Sequence, residues 1–275
     1  MVEVWLVELE QAAAALEAEE RRRPRLDPDD LKRIAELNHD ELRLQRRLSM
    51  IALRVLIAAF TGSDRVARAP FVRLPGGKPV LPGASVSFSV SHAAGRALIA
   101  LSSGASVGVD IERQRTLRMP ARRQADLIEA ARALPLVPNA AVRQDTRTQH
   151  EGNVPARDPV LSAWVRLEAL AKLDGVGMGR LLTAAGVLGR RAGIGGESAG
   201  EHARSATPAS SATPDWPGEL VETGVAVVDL ALPADASSGD PWYAALAAPA
   251  ALLQPRGPDV RPLPLKPEDL ARLTP

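Results

Sequence analysis

The spacing of apolar positions changes several times along the chain, and each change marks an expected element. Val2 to Leu9 is a run of apolar residues broken by Glu3 and Glu8, and reads as an opening strand. Residues 11 to 37 are rich in Ala, Glu and Arg and read as helix, broken near Pro24 and Pro28. From Asp40 to Phe60 the period is helical. Leu44, Leu48, Ile51, Val55 and Ala59 form an apolar stripe, Arg43, Arg47 and Arg54 line its edge, and Gly62 supplies a stop. Pro75-Gly76-Gly77-Lys78-Pro79 is a turn.

The period then drops to two. Val86, Phe88 and Val90 alternate with serines and lead into Ser91-His92. Ala97 to Leu101 makes a second strand and Val107 to Glu112 a third, joined by short Gly-containing turns, so an antiparallel meander is expected. Residues 121 to 134 read as helix, 135 to 159 as a loop or insert, and the Trp164 segment as a helix ended by Gly175-Val176-Gly177. Residues 189 to 218 are dominated by Gly, Ala, Ser, Thr and Pro and read as flexible. Val225 to Leu232 and Trp242 to Ala247 look like two further strands. The Pro-rich tail from 250 to 275 is expected to be partly disordered. Helices followed by strands, twice over, predict an α+β fold of two subdomains, 1–112 and 113–249, packed against each other.

Composition narrows the function. A chain of 275 residues, 45% hydrophobic, can bury a core, and with 3% aromatics that core must be Ala, Val and Leu. The net charge of +1 is too balanced for a nonspecific nucleic-acid binder. No cysteine means no disulfide, thiolate metal site or cysteine nucleophile. No apolar run reaches membrane-spanning length, and Glu3, Glu8 and Glu10 do not suit a signal peptide, so a cytoplasmic protein is expected. Only Lys32, Lys78, Lys172 and Lys266 are lysines among 34 basic residues, and two of them fall in the segments below.

Two segments carry chemistry. In the Val107–Glu112 strand, Asp110 and Glu112 share a face, roughly 7 Å apart, with Gly108 leaving room beside them. In the Trp164–Lys172 helix, Glu168 and Lys172 lie one turn apart. Three carboxylates and an ammonium suit a hard divalent ion holding a phosphate. Taken singly, each feature also has a plain structural reading: a solvated strand face, an i,i+4 ion pair, a hydrogen-bonded histidine at a strand end, a turn, a solvated helix edge.

Their order along the chain resembles the 4′-phosphopantetheinyl transferase family, of the larger pseudodimeric type that activates surfactin synthetase and related carrier proteins. The likeness runs through the Arg-rich helix, Gly77-Lys78-Pro79, Phe88-Ser89-Val90-Ser91-His92, Val107-Gly108-Val109-Asp110-Ile111-Glu112, and Trp164 through Glu168-Ala169 to Lys172. It covers roughly residues 40 to 180. The resemblance implies two similar α+β halves with the active site between them, in a monomer. It implies transfer of 4′-phosphopantetheine from coenzyme A to a serine of an apo carrier protein, with magnesium as cofactor and neither nucleic acid nor membrane as partner. By that analogy Asp110, Glu112 and Glu168 hold the metal. Lys78, Ser91 and His92 contact nucleotide phosphates, with one or more of Arg43, Arg46, Arg47 and Arg54. Glu168, or a metal-bound water it orients, is the best candidate base, and Lys172 serves the departing phosphate.

The chain departs from the family pattern in three places. Leu167 stands where a lysine usually precedes the helix glutamate, residues 121 to 159 lack aromatics, and Met50 stands where a polar or basic residue is expected. The lysine's loss favours a rival reading, a non-catalytic relative that binds coenzyme A or a carrier protein. A metal-dependent phosphohydrolase is a third.

Overall fold

The structure is a computed structural model that describes residues 1–139, 157–188, 224–232, 241–253 and 258–274. The expected flexible stretch 189–218, and most of the insert expected over 135–159, lie outside the described residues.

The fold is mixed α/β, with helices and largely antiparallel sheets. β1 (Val2–Glu8) runs into α1 (Leu9–Arg22) and α2 (Pro28–Ala35). The break between the helices falls at the expected prolines. Asp27 caps α2 and exchanges hydrogen bonds with Asp30, with Pro28 in the first turn. α3 (Asp40–Thr61) ends at Gly62, whose φ of 66° is left-handed. The short α4 (Asp64–Arg68) and a two-stranded hairpin, β2 (Val72–Arg73) and β3 (Pro79–Val80), lead to β4 (Val86–Ala93), β5 (Arg96–Ser103) and β6 (Gly108–Arg113). After them come α5 (Ala121–Arg132), β7 (Leu136–Val137), α6 (Pro159–Asp174), α7 (Met178–Ala184), β8 (Val225–Asp229), β9 (Trp242–Pro249), β10 (Val260–Pro262) and α8 (Pro267–Leu273).

Among the described residues two four-stranded sheets form, in the orders β10-β1-β5-β4 and β6-β9-β8-β7. Alternation along each strand assigns its two faces. In the first sheet Trp5, Val7, Ile99 and Phe88 pack with α1 and α3, while Val4, Leu6, Leu98 and Ala100 turn the other way. In the second, Val227, Ala245 and Ala247 pack with α5 and α6, while Val228, Ala244 and Leu246 turn back. The inner residues of both sheets join in one apolar cluster that includes Val107, Val109 and Ile111. The result is four layers, helix–sheet–sheet–helix.

The expected three-strand meander is half right. β4 and β5 pair antiparallel, but β6 leaves them and pairs with β9, from Gly108 opposite Ala247 to Arg113 opposite Trp242. Short connections predict neighbours, yet a turn at Gly104 carries the chain across to the other sheet. β4 and β6 are therefore both edge strands, and the edges meet: Ser89 Oγ accepts the Val109 N–H at 3.1 Å. The Pro-rich tail is also ordered over 258–274. β10 pairs in parallel with β1, and α8 buries Leu270 in the first sheet's helical layer. Leu44, expected on the apolar stripe of α3, is 50% exposed, one turn too early to reach the sheet.

Helix α6 sits on β6 more closely than side chains permit. A Cβ on Gly108 would lie 2.0 Å from the Ala169 carbonyl oxygen and 2.3 Å from the Leu173 nitrogen. Gly108→Ala must push α6 away and should cost about 1–3 kcal/mol in urea unfolding. Gly179→Ala, on α7 with open space around it, should be neutral or stabilising in the same assay.

Candidate functional site

Where β4, β6 and α6 come together, a cleft of about 450 Å³ opens. Its walls come from the motif-bearing segments: Ser91 and His92 at the end of β4, Asp110 and Glu112 on β6, Glu168 and Lys172 on α6, and Lys78 on the hairpin. Helix α6 is held at both ends. Asp158 Oδ1 accepts from the Val160 and Leu161 amides at its start, and Gly175, with φ of 73°, ends it. The Gly76 backbone lies against this end so closely that a Cβ there would overlap the Gly175 carbonyl oxygen, at 1.4 Å.

The acidic end of the cleft centres on Asp110, a 3% exposed residue. Its Oδ1 accepts from Ser91 Oγ at 2.6 Å and from Lys172 Nζ at 2.7 Å. Lys172 also donates to Ser91 Oγ at 2.8 Å and stands 3.8 Å from Glu168 Oε1. The i,i+4 partner is thus the more distant of its two carboxylates. Burial raises the pKa of Asp110, against the pull of Lys172 and Ser91. Burial and then the charge of Asp110 raise that of Glu168. Glu112 is gripped by Arg115 through two bonds of 2.6 and 2.9 Å.

The other end is basic. Arg46 lines the cleft, and makes no ion pair among the described residues. Arg73 donates to the Gly77 carbonyl at 2.8 Å, and burial, then the charges of Arg33 and Arg46, lower its pKa. His92 is pushed down to about 4 by burial, then by Arg46 and Lys172, so its ring is neutral at physiological pH. Lys78 is pushed down to about 8 by burial. Its ammonium donates to Leu173 O at 2.7 Å and Val107 O at 3.1 Å, tying the hairpin to the end of α6 and the start of β6.

Two expected phosphate contacts are elsewhere. Arg54 is fully buried. It bonds Asp30 and Asp27 at 2.6 Å each, reaches the Ala67 and Ala69 carbonyls, and lies 4.2 Å from the Phe71 ring centroid. Arg47 holds Glu17 through bonds of 2.6 and 3.0 Å. Neither lines the cleft, and Arg43 pairs with Asp40. The helix turns Arg46 to the cleft instead, about 100° from Arg47. Arg73 and Arg115 were not singled out in the sequence. Arg115, three residues past Glu112, carries a weak local signal, while Arg73 carries none beyond its nearness to the Gly76-Gly77 turn. Leu167 is fully buried in the layer between α6 and the second sheet and does not line the cleft.

Among the described residues, no group of three acidic or histidine side chains is gathered tightly enough to cage a metal alone. Magnesium asks for less, because it is usually bound by one or two carboxylates, waters and substrate phosphates. Asp110 Oδ2 is buried with no hydrogen-bond partner among the described residues, which leaves a hard oxygen donor beside Glu168 and Glu112. That donor set fits the ion. In comparisons with known proteins, no family model matches the chain, and no curated protein matches it either. No described helix is long and apolar enough to cross a membrane.

Arg54→Ala should destabilise the fold by about 3–5 kcal/mol in denaturant unfolding, because Asp27 and Asp30 are left buried without their cation. Arg46→Ala, which breaks no ion pair among the described residues, should change stability far less. The depressed pKa of His92 has a definite sign. Between pH 6.5 and about 4 the unfolded chain takes up a proton that the folded site refuses, so His92 lowers stability as pH falls through that window. The stability difference between wild type and His92→Gln should vary with pH there, and be flat above pH 7.

Proposed function

We propose that this protein transfers 4′-phosphopantetheine from coenzyme A to a serine of an apo acyl or peptidyl carrier protein, releasing adenosine 3′,5′-bisphosphate. What carries the reading is one convergence: Ser91, His92, Asp110, Glu168 and Lys172, drawn from three separate segments, line one cleft with an acidic and a basic end. A coenzyme A diphosphate suits that polarity, its bridging phosphates toward the acidic end and its remote phosphate toward Arg46, Arg73 and His92. Asp110, Glu168 and Glu112 would hold magnesium, which when bound neutralises the diphosphate and the charge that grows on the leaving group.

The residues then have distinct tasks. Glu168, with a raised pKa, takes the proton from the attacking serine hydroxyl. The serine oxygen bonds to the pantetheine-side phosphorus, and the bond to the bridging oxygen breaks. Lys172 donates to the oxygen that departs with adenosine 3′,5′-bisphosphate. Ser91 fixes Asp110 and Lys172 through hydrogen bonds to both. His92, neutral, is a hydrogen-bond donor to phosphate rather than a base. Lys78 acts first as a clip on backbone carbonyls. A cytoplasmic monomer of two similar halves, with the site between them, belongs to the same proposal. The departure at Leu167 weighs little against it, since that side chain is core.

Intact-mass measurement on a panel of apo carriers, mixed with the protein, coenzyme A and magnesium, tests the reading. At least one carrier should gain a single phosphopantetheine, and only with divalent metal. Asp110→Ala should nearly abolish the gain in a folded protein, and Lys172→Ala should slow it by about two orders of magnitude. Coenzyme A binding with every carrier unmodified would replace the enzyme with a binding module. Coenzyme A breakdown without a carrier would replace it with a phosphohydrolase.

A further inference from the structure

Each carboxylate of the cleft already has a cation. The Lys172 ammonium sits 2.7 Å from Asp110 Oδ1 and 3.8 Å from Glu168 Oε1. The Arg115 guanidinium spans both oxygens of Glu112. Lys172 is also steered onto Asp110, because Ser91 Oγ accepts from the ammonium while donating to the same carboxylate oxygen. Three carboxylates against two cations leave little net negative charge to draw in a bare divalent ion. An ion bound by Asp110 and Glu168 would also stand beside an ammonium of the same sign. One buried acceptor, Asp110 Oδ2, has no hydrogen-bond partner among the described residues.

We infer that Lys172 and Arg115 are resident counter-ions of this cleft, and that the divalent cation enters together with the substrate's diphosphate, as Lys172 moves from Asp110 to a phosphate oxygen. The inference rests on the transferase reading, which supplies the metal and the diphosphate. The physical ground is exchange of partners. An ammonium that leaves a buried carboxylate must find another anion, and the diphosphate is that anion. The same anion separates the ammonium from the incoming metal. Arg115, whose side chain is about half exposed, can swing away at small cost and free Glu112. Lys172 thereby has a positioning role before any chemistry: it neutralises the buried Asp110 carboxylate and discourages a divalent ion from occupying the cleft without substrate.

Metal affinity reads this directly, without turnover. Mn2+ binding to nucleotide-free protein is followed by the electron paramagnetic resonance signal of free Mn2+, alone and with saturating coenzyme A. Wild type alone should bind Mn2+ weakly, and coenzyme A should tighten binding at least tenfold. Lys172→Gln should tighten Mn2+ binding in the nucleotide-free protein by about tenfold, and shrink the further gain from coenzyme A. Arg115→Gln should move it the same way by a smaller factor, and its exposed side chain makes loss of folding no concern. Lys266→Gln, away from the cleft, should leave affinity unchanged and so separates contact from net charge. If Lys172→Gln and Arg115→Gln both bind Mn2+ no more tightly than wild type, the counter-ion role is overturned while the transferase reading stands. If Mn2+ fails to bind any of these proteins even with coenzyme A, the transferase reading itself falls.

Discussion

The cleft depends on one close approach, the backbone of α6 lying directly on Gly108 of β6. With no Cβ in the way, the Ala169 carbonyl and the Leu173 nitrogen come within 2.3 Å of where that atom would be. The approach sets the depth of the helix over the strand. Depth decides whether Lys172, four residues beyond Glu168, reaches down to Asp110 or only across to its own helix neighbour. It reaches Asp110, and more closely than it reaches Glu168. A second close approach, Gly76 on the Gly175 carbonyl, docks the hairpin on the end of the same helix and brings Lys78 to the Leu173 carbonyl. Helix, strand and hairpin thus act as one rigid wall, because backbone contacts leave no side chain free to adjust.

The parts of the site legible in the sequence are those encoded by neighbours in the chain. Alternation put Asp110 and Glu112 on one face, helical spacing put Glu168 above Lys172, and both pairs line the cleft. Arginines on α3 were harder. Periodicity identifies the edge of a stripe, but not whether that edge meets water, a buried acid or a ligand. Arg54 is fixed by Asp27 and Asp30, which lie on a different helix, and no local pattern announces that pairing. Helix breaks and stops were legible for the opposite reason: Pro28 and Gly62 act within one turn of themselves. Sheet membership was not. The turn into β6 is as short as a hairpin, and its partner β9 comes from far along the chain.

The basic residues divide by chemistry as well as by place. The arginines at Arg25, Arg54 and Arg166 hold acids across elements, where a planar fork bonds several acceptors at once. Two of the rare lysines, Lys78 and Lys172, reach into the cleft region, where a compact ammonium on a long stem is met by oxygens from different elements. At these two positions a small, mobile charge differs in effect from a large, fixed one.

The pairing of β10 with β1 bears on how the molecule assembles. Val4 lies opposite Val260, so the first strand gains one of its two neighbours only from residues near 260. Contacts so distant in sequence carry a heavy loop-closure cost and form late. Until then β1 is a bare edge with unpaired N–H and C=O groups, open to pairing with another chain. The helical layer on that side waits too, since Leu270 of α8 fills its core. During synthesis the ribosome therefore delivers a first sheet that remains incomplete until β10 has been translated, and a nascent chain that can be captured through β1 throughout that interval.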